Sequence, residues 1–164
     1  MTSEHGDQTM DTQGACSCNS VAFAVRAAPL FRVFCHCTIC QRFNAAPFAD
    51  VLVFRQNDID TPAESDVSYS TYKPPPNVQR GRCRRCDQPA IERFTAPLLP
   101  KLTMVPASMF ETPDALALPC AHLFYEKRLA DYDDALARHH GFLRSQWGFL
   151  RYLRKGLRDA RSTD

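Results

Sequence analysis

The chain has 164 residues, 45% of them hydrophobic and 23% charged, with a formal net charge of +2. That length and apolar content suit one packed globular domain with room for a small appendage. No run approaches the ~18 apolar residues of a membrane helix. From Arg138 onward seven Lys/Arg stand against two Asp/Glu, while the remainder holds 13 basic and 16 acidic residues. A basic tail on a mildly acidic body is not the footprint of a dedicated nucleic-acid binder, so no nucleic acid is expected as a partner.

Residues 1–13 are polar and acidic with no apolar h-region, which predicts a disordered leader rather than a secretory signal. A cytoplasmic, reducing location is the expectation, and there eight cysteines serve as ligands more readily than as disulfides. A zinc-binding domain is expected over 14–138. Short strands are predicted at Val21 to Val25, Phe31 to Phe34 and Phe48 to Phe54, the last rich in β-branched and aromatic residues. Pro74-Pro75-Pro76-Asn77 makes a rigid loop before Cys83. Further strands are expected at Ile91 to Phe94, Leu102 to Val105 and His122 to Glu126, and residues 131–138 (DYDDALAR) read as helical.

The segment 139–164 reads as a basic amphipathic extension. Phe142, Leu143, Trp147, Leu150, Leu153 and Leu157 recur at helical spacing beside Arg144, Arg151, Lys155 and Arg158. Gly148 and Gly156 lower its intrinsic helicity, so the helix needs a surface to hold it. That surface is its own domain, a second subunit in a homodimer, or an anionic membrane.

The cysteines carry most of the information. Cys16-x-Cys18 and Cys83-x-x-Cys86 are two close thiolate pairs far apart in sequence, the make-up of a tetrahedral structural zinc site. Such a metal cross-links distant parts of the chain and supplies folding free energy. Between the pairs, Cys35, Cys37 and Cys40 fall within six residues. Three thiolates cap one face of a second zinc and leave a fourth position for water, substrate or another residue. A thiol is a suitable fourth ligand, because a thiolate site is soft and holds such a ligand as an oriented nucleophile. Alternatively His36, His122 or Cys120 closes this site as a second structural zinc. Arg42 follows the cluster and is placed to grip a substrate carboxylate. Arg80, Arg82, Arg84 and Arg85 surround the second pair and read either as an anion site or as a solvated loop.

The pattern resembles the glutathione-dependent formaldehyde-activating enzyme family, which includes centromere protein V. The resemblance rests on Gly14-Ala-Cys-Ser-Cys18 with Val21-Ala-Phe23, and on Cys35-His-Cys-Thr-Ile-Cys40-Gln-Arg42 with Ala46-Pro47-Phe48. Tyr72, Arg80, Cys83-x-x-Cys86 and Pro89 follow, then His122-Leu-Phe-Tyr-Glu-Lys-Arg128, Asp131-Tyr132 and Leu136. It spans roughly Gly14 to Leu136 and implies a mainly β fold, a β-tent of small antiparallel sheets around a structural zinc, followed here by the C-terminal helix. It also implies two zinc ions per chain: Cys16, Cys18, Cys83 and Cys86 hold one, and Cys35, Cys37 and Cys40 hold the other at a catalytic site. The implied activity is that of a carbon–sulfur lyase resembling S-(hydroxymethyl)glutathione synthase, acting on glutathione or a similar small thiol and an aldehyde such as formaldehyde. The alternative is a non-catalytic zinc-binding interaction module. Asn19 and Asp87 replace the family's usual glycines after the cysteine pairs, and both residue types tolerate the left-handed backbone region. Ala45 replaces another glycine, Arg82 a phenylalanine, and Pro74-Pro75 a pair of serines.

Overall fold

A computed structural model describes residues 12–162. Among the described residues the strands are β1 (Thr12–Ala15), β2 (Ala22–Val25), β3 (Phe31–Cys35), β4 (Ala49–Arg55) and β5 (Val67–Ser70). They continue with β6 (Val78–Cys83), β7 (Pro89–Phe94), β8 (Leu102–Pro106), β9 (Ala121–Leu123) and β10 (Ala137–Arg138). The helices are α1 (Thr38–Asn44), α2 (Pro113–Leu116) and α3 (Gly141–Arg161).

Two sheets result, so the chain is mainly β, as the resemblance implies, and it ends in a long helix where the hydrophobic spacing predicts one. The β1–β2 hairpin stands alone, and the other eight strands form one sheet in the order β10-β9-β3-β4-β8-β7-β6-β5. Its neighbours pair antiparallel except β3 with β9 and β9 with β10, which run parallel. Strand β4 explains why the sheet sits in the middle of the molecule. Its side chains alternate between two cores: Leu52 and Phe54 join one, Val51 and Val53 the other, and all four are buried. The first core lies under the β1–β2 hairpin with Phe23 and Phe110, and the second lies under α3.

Helix α3 meets the sheet through Phe149, Tyr152, Leu153 and Leu157, with small residues at the points of closest approach. Ser145, Gly148, Leu153 and Gly156 are buried, while Phe142, Leu143 and Trp147 are 57%, 71% and 70% exposed. A side chain at Gly156 would press on the Leu30 backbone and stand 2.8 Å from the Leu30 Cβ. One at Gly148 would stand 2.9 Å from Nε2 of His139. The predicted apolar stripe therefore overlaps the true contact face only in part: Leu153 and Leu157 are in it, whereas Phe142, Leu143 and Trp147 face away. The glycines do more than weaken the helix: they let its backbone approach the domain.

Three other expectations change. Residues 131–138 are not a helix. Eight residues are too few to hold one unaided, and their groups are engaged elsewhere. Asp131 pairs with Arg128, Asp134 with His122, and the backbone of Ala137 and Arg138 with β9. The strand expected to reach Glu126 stops at Leu123, because Phe124 turns into the left-handed region at φ 54°. Thr12 and Gln13, placed in the leader, pair with Val25 and Ala24 in β1; the rest of the leader lies outside the described residues.

Candidate metal centres

The first centre joins the two sheets. Cys16 and Cys18 follow β1, and Cys83 and Cys86 end β6 and its turn. All four sulfurs lie within 4.8 Å of one another. The Cys16–Cys18 and Cys18–Cys83 separations are 3.4 and 3.7 Å. Four sulfurs ~2.3 Å from one zinc stand about 3.8 Å apart, so the donor set fits a tetrahedral ion. Backbone N–H groups point at the sulfurs as they would at thiolates: Val21 donates to Cys16 at 3.3 Å and Arg85 to Cys83 at 3.4 Å. Each cysteine pair is closed by a left-handed residue, Asn19 at φ 56° and Asp87 at φ 57°. Their N–H groups bond the carbonyls of Cys16 and Cys83, both at 2.9 Å.

The second centre is the junction between β3 and α1. Cys35 ends the strand, Cys37 is the helix N-cap, and Cys40 lies one turn on, with all three sulfurs inside 4.8 Å of one another. The Cys37 sulfur accepts the Cys40 N–H at 3.3 Å. Three thiols this close cannot share one charge state. Cys37 and Cys40 push the Cys35 thiol well above its ordinary range, whereas Cys35 and Cys40 draw Cys37 well below it. A divalent cation favours the thiolate on all three and so fits this donor set. Among the described residues no fourth side chain completes the cluster. Cys120 lies outside it, half-buried, its N–H bonded to the Arg32 carbonyl.

His36 and His122 do not reach the cluster either. They form a buried chain behind it, His36 Nε2 to His122 Nδ1 at 2.8 Å and His122 Nε2 to Asp134 at 2.8 Å. Phe48, Tyr125 and Tyr132 surround the imidazole of His36. Burial, and after it the neighbouring His122, holds His36 down to about 4, so it is neutral at pH 7.

The triad opens into a cavity of about 360 Å³. Its walls are mostly apolar: Val33, Val51, Val53, Phe94 and Met104 from the sheet, and Phe149 from α3. Arg80 and Glu92 form its buried polar part. They are opposite partners on β6 and β7, joined at 2.5 Å. The second guanidinium nitrogen of Arg80 donates to the Cys40 sulfur at 3.6 Å. Burial pushes the Glu92 carboxyl up to about 7 against the pull of Arg80. Lys73 and Lys127, both exposed, and Ser145 and Gln146 of α3 complete the lining.

Arg42 is exposed in the last turn of α1 and does not line this cavity. Of the four arginines around the second pair, Arg80 is in the site. Arg82 instead donates to the carbonyls of Phe43 and Asp87, and Arg84 and Arg85 are exposed. The two lysines and the α3 residues carried no motif signal. Glu92 carried one faint one, an acid in a short strand with Ala90 and Ile91 before it, which calls for a buried cation opposite.

A family model described as glutathione-dependent formaldehyde-activating enzyme matches residues 11–127. The match ends before α3. A crystal structure of a Rhodobacter sphaeroides protein is similar in fold, with 18% identity over 65% of this chain and 97% of that one, and a TM-score of 0.50. No curated protein matches the chain.

Proposed function

This chain belongs to the glutathione-dependent formaldehyde-activating enzyme family, and we propose that it joins or splits a thiol–aldehyde adduct, as a carbon–sulfur lyase, at Cys35, Cys37 and Cys40. The observation that carries this reading is the convergence of three sulfurs on the wall of a cavity, with no fourth protein ligand among the described residues. Zinc bound there supplies a positive charge that keeps a thiol deprotonated near neutral pH. Cys16, Cys18, Cys83 and Cys86 hold a second, structural ion.

In the joining direction the substrate sulfur adds to the aldehyde carbon. A C–S bond forms, the carbonyl π pair moves to oxygen, and oxygen takes up the proton that the thiol gave away. The protein's own residues prepare that step. Arg80 donates to Cys40 and offsets negative charge on the triad, and Glu92 holds Arg80 in place. The apolar walls keep water from competing with the thiol. Lys73 and Lys127 suit carboxylates of a thiol such as glutathione better than the outward-facing Arg42 does.

The experiment is to follow formaldehyde and glutathione by NMR with the zinc-loaded protein. Faster adduct formation than in buffer, lost in Cys37→Ser, is the expected result. A rate equal to the uncatalysed one, with both metals bound, would instead leave the domain as an interaction module.

A further inference from the structure

We propose that the outward face of α3, with the loop carrying Leu98, is a docking surface for an anionic membrane. Leu143, Trp147, Leu150 and Arg154 lie three or four residues apart and so share one side of the helix. That side is opposite in character to the sheet-facing one. Trp147 and Leu143 are mostly exposed, and Leu98 is exposed completely, at 104%. Leu98 also occupies the left-handed region at φ 63°, so a strained backbone holds an aliphatic side chain in water. Leu98 and Trp147 border one groove of about 960 Å³, and Arg151, Arg154, Arg158 and Arg161 line it with them.

Charge decides the occupant. Helix α3 has six Lys/Arg against one acidic residue, Asp159, which Lys155 engages at 2.7 Å. A second copy seated by a two-fold axis would set this arginine row against its own like. A nucleic acid would satisfy the arginines and leave Leu98 and Leu143 in water. An anionic bilayer satisfies both. Lipid phosphates meet the guanidinium groups, the acyl boundary takes the leucines, and the indole sits at headgroup level. No described helix is long and apolar enough to cross a membrane, and a helix with one basic, leucine-bearing face suits the plane of the interface.

Trp147 is the single tryptophan of the chain, so its fluorescence reports on the face directly. The full chain is titrated with vesicles of phosphatidylserine and phosphatidylcholine, and with phosphatidylcholine alone. The expected result is a blue-shifted emission and co-sedimentation with the anionic vesicles only, weakened by salt. The double variant Arg151→Gln/Arg154→Gln should lose roughly thirtyfold in vesicle affinity, the worth of two arginines at an anionic surface, with an unchanged thermal melt. Leu98→Ser should weaken sedimentation without altering the salt dependence. Three results overturn the proposal: equal binding to neutral vesicles, no binding to either, or a blue shift that instead tracks dimerisation in ultracentrifugation or added oligonucleotide.

Discussion

Ala45 closes α1 at φ 47° and ψ 43° with no polar side chain to favour that region. A left-handed L-residue costs ~1–2 kcal/mol, so Ala45→Gly should raise stability by about 1 kcal/mol in denaturant melts. Asn19 and Asp87 hold nearly the same φ, but their side-chain types suit it, and Asn19→Gly should gain less. Equal gains at Ala45 and Asn19 would show that residue type at these seats is immaterial. His36 makes the second prediction at this scale. Its folded-state pKa of about 4 lies below the ordinary 6.5 because it is buried. Between those values the unfolded chain binds a proton that the folded chain does not. The contribution is therefore complete above pH 6.5 and lost as pH falls towards 4. Thermal melts of His36→Gln should show a shallower fall across that window; identical slopes would mean that the imidazole is not held neutral.

At the scale of the element, α3 is fitted by what it lacks. Alanine at position 156 gains up to ~1 kcal/mol of helix propensity. It also drives a methyl group into the Leu30 backbone, and overpacking of that kind costs about 1–3 kcal/mol. Gly156→Ala should lower the melting temperature even though it favours the isolated helix; a rise would mean that Leu30 yields freely. The same helix explains what the sequence could and could not reveal. Hydrophobic spacing located it and picked out Leu153 and Leu157, which do pack on the core, but large side chains dominate such a pattern, and it gave no sign that Ser145, Gly148 and Gly156 are buried in the same contact. The sulfur clusters were readable because each pair or triad of cysteines is short and local, even where two pairs far apart make one centre. Arg80 with Glu92, and His36 with His122, were not, since their partners arrive from other strands through sheet register. The short helical pattern at 131–138 gave way to ion pairs and β10, which only the assembled sheet provides.

For the whole molecule, the two centres differ in what they hold together. Cys16 and Cys18 belong to the hairpin side and Cys83 and Cys86 to the large sheet, so Cys83→Ser should remove the cooperative melt or lower it sharply. Cys37→Ser touches a cluster within one strand–helix junction and should stay within about 1 kcal/mol of the parent while losing one metal by mass spectrometry. Equal losses of stability would erase the distinction. The first centre also has a kinetic consequence. Phe34 of β3 pairs with His122 of β9, a closure of about 90 residues along the bare chain. Fastening Cys18 to Cys83 first shortens that path to about 55 residues, which eases the loop entropy enough to speed the search roughly twofold. Refolding with zinc present from the start should outpace refolding with zinc added late by that modest factor; equal rates would mean that an ion at this centre is a fastening in space but no shortcut in time.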